Sequence, residues 1–305
     1  MRNDNQSVDD SWPALPLSEW KDTCATLHMW TQIAGKIRLQ LSTRVNHWWD
    51  VALYVSARGL TTSPIPYRNG IFEIRFDFLS HQLVIETSED QTARIPLRAM
   101  PVADFFREVM ARLEFLGIGV EIYTRPVEVP DPIRFEEDYT HAAYDPEYAR
   151  RFWRILASVR TVLEEFRSRF IGKCSPVHFF WGSFDMAVTR FSGQRAPERP
   201  GADAITREAY SHEVSSAGFW PGSGEITGPA FYSYMAPQPP GYSNATVRPG
   251  TAFYHQGMQE FLLMYDDMRK SASPEETLLE FLQSTYEAGA NLGRWDRGAL
   301  ERTAP

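Results

Sequence analysis

The chain has 305 residues, 43% hydrophobic and 23% charged, with a net charge of −8. That is material for a sizeable core, in one large domain or two smaller ones, and the ordinary composition argues against a largely disordered chain. No basic run or RNA-binding signature supports a nucleic-acid partner, and no apolar run approaches the roughly 18 residues of a membrane span.

Met1–Ser11 is polar and acidic, without a secretion signal, and reads as a disordered N-terminus. Trp12–Leu17 is an extended, proline-bearing arm, and Ser18 is the expected N-cap of a first helix. Trp20, Cys24, Leu27, Trp30, Ile33 and Ile37 form its apolar stripe, with His28 and Gln32 beside it. Asn46–Asp50 opens a strand-like run through Val55. Ile71–Phe78 alternates cleanly, Phe72, Ile74, Phe76 and Phe78 facing one way. Two more strands are expected at Leu83–Thr87 and Ala93–Leu97. A helix follows with Pro101 at its first position, then a short strand at Val120–Tyr123.

Residues 126–144 read as a linker between a first half, 12–125, and a second, 145–295. Asp145-Pro146 starts a long helix whose stripe runs from Tyr148 to Phe170. Gly172–Gly193 then packs aromatics, His178, Asp185 and Arg190 into an apolar run, read as one strand lining a pocket. Gln194–Ala204 is a loop and Tyr210–Gly222 a strand ending in a turn. Ala230–Met235 is a further strand, and Phe261–Tyr265 a strand or a short helix. Ser273-Pro274-Glu275-Glu276 is a capping box opening a last helix to about Gly293, and 296–305 is expected to fray. The fold class is therefore α+β: two similar halves of antiparallel sheet flanked by helices, expected to form one compact unit. His47-Trp48-Trp49 followed by Arg58, and His178-Phe179-Phe180 followed by Arg190, suggest an internal duplication; coincidence at two helix-to-strand junctions is the competing explanation.

Two distant cysteines without CxxC fit a reducing cytoplasm. Nine tryptophans mean either a Trp-rich core or an aromatic ligand site. The catalytic candidates are His178, Asp185, His212 and Glu213, a histidine and a carboxylate being the ingredients of general acid–base chemistry. His47, Trp48, Arg58, Trp181, Arg190, Tyr210, Ser215 and Trp220 are the candidate ligand-binding residues, the arginines for an anionic group. On one regular strand His178 shares its face with Arg190 and points away from Asp185, unless Gly182-Ser183 bulges. The leading expectation is an enzyme acting on a small polar or aromatic metabolite. A non-catalytic small-molecule binder is second. A mononuclear metal enzyme with histidine ligands is third, although no HxH, HxD or HExxH spacing is present and no metal ligand is assigned. The sequence names no cofactor, and GxSxG, GxxxxGK[ST] and GxGxxG are all missing.

Trp12-Pro-x-Leu-Pro-Leu17, Thr23–Ile33, Val45–Trp49, Arg58–Ile65, Cys174–Gly193 and Tyr210–Gly222 together resemble the bacterial family catalogued as domain of unknown function number 5996. The resemblance runs from about Trp12 to Trp295 and implies a single full-length family unit. It carries over no activity and no catalytic residue.

Overall fold

The fold is that of a computed structural model, which describes residues 11–302. The expected disorder of the first residues, and the extreme C-terminus, lie outside the described residues. The first helix, α1 (Leu17–Leu41), starts at Pro16 rather than Ser18: the fixed proline backbone ends the arm, and its carbonyl accepts the Glu19 N–H at 3.0 Å. α1 is buried on nearly every side, including Thr23, Thr26, Gln32, Lys36 and Arg38. Its threonines satisfy their hydroxyls on the helix's own carbonyls, Thr26 on Asp22 and Thr31 on His28, both at 2.9 Å.

The first sheet is antiparallel: β1 (Tyr54–Ser56), β2 (Gly59–Thr61), β3 (Ile65–Tyr67), β4 (Gly70–Asp77), β5 (Gln82–Thr87) and β6 (Thr92–Pro96). The order is β1-β2-β4-β5-β6, with β3 also on β4. The alternation of β4 places Phe72, Ile74 and Phe76 in the core, and Phe78 just after it is buried too. Helix α2 (Val102–Phe115) closes this half with Val102, Phe105, Val109 and Leu113 inward. Val120–Tyr123 is not a strand: it runs irregularly along the surface, with Tyr123 exposed.

Residues 126–144 cross to the second half with Phe135 fully buried and Tyr144 stacked on Trp30 at 5.6 Å. Asp145 caps α3 (Pro146–Ser168) by accepting the Glu147 and Tyr148 N–H groups at 2.8 and 3.2 Å. The second sheet, also antiparallel, contains β7 (His178–Phe180), β8 (Asp185–Arg195), β9 (His212–Trp220), β10 (Ala230–Ala236), β11 (Phe253–His255) and β12 (Glu260–Met264), in the order β11-β12-β10-β9-β8-β7. Short α4 (Ala204–Ala209) precedes β9 and α5 (Tyr265–Arg269) follows β12. The last long helix, α6 (Pro274–Leu292), has Pro274 in its first turn, but the Ser273 side chain makes no capping bond. Nor does 296–302 fray: α7 (Arg297–Leu300) leads to Glu301, which bridges to Phe170, and Arg297 pairs with Glu287 and Glu301.

The sheets meet edge to edge, Leu53 and Phe179 exchanging two backbone hydrogen bonds of 2.8 Å. One hydrophobic core runs through both halves, with Trp20 against Phe152 at 5.1 Å and Phe152 stacked on Phe184 at 5.3 Å. Thus each half is a six-stranded antiparallel sheet with helices. The histidine-arginine counterparts differ in setting, however. His47 stands in a helical turn (Asn46–Trp48) and His178 in a strand, while Arg58 is half exposed and Arg190 is buried.

Candidate functional site

The stretch expected as one strand is a hairpin. Trp181–Phe184 turns between β7 and β8, with Phe184 at φ 59° and its N–H on the Phe180 carbonyl at 2.8 Å. α1 holds the turn: His28 stacks on Phe184 at 4.9 Å and donates from Nε2 to the Gly182 carbonyl at 2.8 Å. Trp181 presses its indole on Gly35 and donates to the Val51 carbonyl at 2.8 Å. The turn reverses the expected parity. Register pairs His178 with Ala187 and Phe180 with Asp185, so His178 and Asp185 share one face and Arg190 lies on the other.

The two faces of this sheet are unlike. Val188, Arg190, Ser215, Phe219 and Phe231 face α3 and α6. There Arg190 is 1% exposed, lies over the rings of Phe166, Phe170 and Tyr286, and donates to the Phe166 carbonyl. Desolvation lowers its pKa to about 10. Among the described residues no long helix packs over the opposite face. It carries two small aromatic clusters, Phe191, Val214 and Ala236 with Trp49, Tyr210 and Tyr234, and Ile226, Ala230 and Leu262 with Trp220 and Tyr232. Several of these side chains are only half-buried. This is the open face.

Asp185 is the centre of its polar part. One carboxylate oxygen accepts the Ser183 hydroxyl and the other the Tyr232 hydroxyl. Burial raises the pKa of Asp185, while those two donors oppose the shift. Two more carboxyls gather here. Glu128, against Gly182, is raised by burial and then by the charge of Asp185. Glu260, at the start of β12, is pushed up to about 7 by the same two causes in the same order. Tyr232 stacks beside Tyr234, whose hydroxyl meets that of Tyr210 at 2.9 Å; Thr189 and Ser216 join at 2.9 Å nearby.

Gly218 makes this possible. It sits between Ala187 and Tyr232 in the register. A Cβ there would stand 2.2 Å from the Met186 carbonyl oxygen and 2.5 Å from the Tyr232 hydroxyl. The bare backbone lets the Tyr232 ring cross β9 to reach Asp185. Gly218→Ala is expected to cost about 1–3 kcal/mol and to free Tyr232 from Asp185. Denaturant melts and the ultraviolet pH titration of the tyrosines check this, one buried tyrosine becoming easier to ionise.

A second polar group lies at the far end of the face. His47 donates from Nδ1 to the Glu208 carbonyl at 3.0 Å and accepts the Lys173 ammonium on Nε2 at 2.6 Å. The His212 ring is 5.8 Å from that of His47, and its Nδ1 meets the Ser211 hydroxyl at 3.0 Å. His47 and Trp48 both adopt positive φ, 57° and 61°, so Asn46–Asp50 is a tight turn, not the start of a strand.

The structure therefore brings His47, His178, Asp185, Tyr210, His212 and Trp220 to the open face. Arg190 and Ser215 lie beneath it. Glu213 points away from His212, with one buried oxygen unpartnered. Arg58 is remote, paired with Asp77 on the first sheet. Trp48 is half-buried, with Arg44 against its ring. Sequence reading missed Glu128, Gly218 and Glu260, and did not single out Tyr232 as a partner of Asp185. Among the described residues no group of three or more His, Cys, Asp or Glu side chains is placed to hold a metal ion. A cleft of about 720 Å³ lies elsewhere, between α2 and residues 118–121, and contains none of the candidates.

The model of a family of unknown function, DUF5996, matches residues 12–302. The chain belongs to that family. No curated protein and no solved structure matches it. No helix among the described residues is long and apolar enough to cross a membrane.

Proposed function

We propose that this member of DUF5996 is an enzyme acting on a small polar or aromatic metabolite by acid–base chemistry on the open face of the second sheet. One observation carries the reading: Asp185 is a buried carboxylate held by two hydroxyl donors, with two further carboxyls whose protonation depends on its charge. Environments that separate carboxyl pKa values create an acid and a base at one pH. Asp185 is the base, oriented by Ser183 and Tyr232. Glu260, whose pKa is pushed up to about 7, is the acid. Ser183 is exposed, so the centre opens to solvent at the hairpin turn.

A non-catalytic binding protein is the second reading. Tyr232 holds Asp185 and stacks on Tyr234, and Trp220 packs on the same face, a setting that suits a cationic ligand without any turnover. We place the protein in the cytoplasm, with a small-molecule partner and no nucleic acid. Two unpaired cysteines support that compartment, and burial pushes the Cys174 thiol up to about 11.

Wild-type protein and Asp185→Asn, incubated with a bacterial metabolite extract and followed by mass spectrometry, separate these readings. The enzyme reading expects compounds consumed by the wild type alone, at a rate that falls as pH rises through about 7 and Glu260 loses its proton. Compounds retained without conversion support the binder. Equal conversion by Asp185→Asn rules out the role of Asp185.

A further inference from the structure

We propose that the enclosure around His178 is a second binding site, one that takes the carboxylate of a small aromatic acid. It stands apart from the Asp185 reading and does not rest on it. His178 is 0% exposed, yet neither ring nitrogen has a hydrogen-bond partner. Buried polar atoms are rarely left so, because each forfeits its hydration without replacement. Arg38 of α1 shares the condition: it is 8% exposed, one guanidinium nitrogen donates to the Thr62 carbonyl, and its Nε has no partner.

One aromatic ring joins the two residues. Tyr54 meets His178 edge-on at 5.4 Å and carries the Arg38 guanidinium 5.8 Å from its centroid. Trp49 at 5.9 Å and Phe180 at 5.4 Å complete the walls. All three walls are half-buried, while His178 behind them is fully buried.

The chemistry selects the occupant. A neutral imidazole offers one N–H, and Arg38 Nε–H adds a second donor, matching the two oxygens of a carboxylate. The surrounding charge agrees. After burial, the positive charges of Arg38 and Arg167 depress the His178 pKa, which falls to about 3; the acid that acts on Arg38, Asp50, is engaged by the Val45 N–H at 2.9 Å and by Arg44. An anion would relieve that imbalance, and an ammonium group would aggravate it. Aromatic walls favour a planar body behind the carboxylate. Trp49 is the wall best placed to move. It follows directly on the left-handed residues His47 and Trp48, a backbone state that costs energy in non-glycine residues.

Benzoate is the probe and benzylamine its cationic control, followed by tryptophan fluorescence and by the imidazole resonances of the intact wild-type chain. The site predicts saturable binding of benzoate but not benzylamine, with a shift of the His178 imidazole resonances, assigned by their loss in His178→Phe. His178→Phe and Arg38→Met should each weaken binding by about tenfold or more, and Trp49→Phe should remove most of the fluorescence change. Asp185→Asn should bind benzoate as the wild type does, which keeps this result separate from the catalytic reading. The proposal is overturned if benzoate fails to saturate, if both probes bind equally, or if the His178 resonances stay fixed in the wild type. The last of these holds even where a variant fails to fold.

Discussion

Trp30→Ala is expected to cost about 3–5 kcal/mol, the range for removing a buried indole, and to shift the melting of both halves together. Trp30 is fully buried in the middle of α1 and stacks on Phe105 of the first half at 4.4 Å. Its other face meets Tyr144, just ahead of the cap of α3, at 5.6 Å. The same helix sends Trp20 to Phe152 and His28 to the hairpin turn. With one core spanning both sheets, relaxation around the cavity is limited and cooperativity extends through the chain. Scanning calorimetry and near-ultraviolet circular dichroism should show a single lowered transition. Two transitions, with only one moved, would show that the halves are energetically separate.

Glu260→Gln should change stability in a way that depends on pH. The folded protein raises the Glu260 pKa from its ordinary 4.5 to about 7, by burial and then by the charge of Asp185. Between those values the native state holds a proton that the unfolded chain has released. Wild-type stability from this group therefore falls as pH rises through the window, by up to about 3 kcal/mol. Glutamine is neutral throughout. The variant should match the wild type near pH 4 and exceed it near pH 8, as denaturant midpoints would show. An equal offset at both values would mean that Glu260 is not held protonated.

Much of this fold was legible. The alternation of Phe72 to Phe78, the stripe of α1 and the Asp145-Pro146 start of α3 are local patterns, and each appears in place. The hairpin after Phe180 was not legible. Its turn, Trp181-Gly-Ser-Phe184, has little turn chemistry beyond one glycine, and α1 residues distant in sequence hold Phe184 in its left-handed state. Strand parity alone consequently placed His178 with Arg190 and away from Asp185, the reverse of the structure. Asn46–Asp50 misled for a related reason: the aromatic pair Trp48-Trp49 read as a strand opening and outweighed the turn-forming Asn46 and Asp50 on either side. Glu128 and Glu260 lie in a loop and a strand far from Asp185 in the chain, and only the tertiary fold brings their charges together. Gly218 was visible as a glycine, but its purpose depends on the neighbouring strand's Tyr232. His28 and Gln32 looked peripheral beside an apolar stripe. They instead fix the hairpin turn and clamp Val127, next to Glu128, through paired amide bonds of 2.8 and 2.9 Å.

The open face of the second sheet, centred on Asp185, is the central claim. A crystal structure of Asp185→Asn with a compound that the wild type consumes or retains from the extract tests it most directly. The expected result is density against Tyr232, Ser183 and the Glu260 carboxyl, on the side of the sheet away from α3 and α6. Density in the cleft along α2, with that face empty, would contradict it.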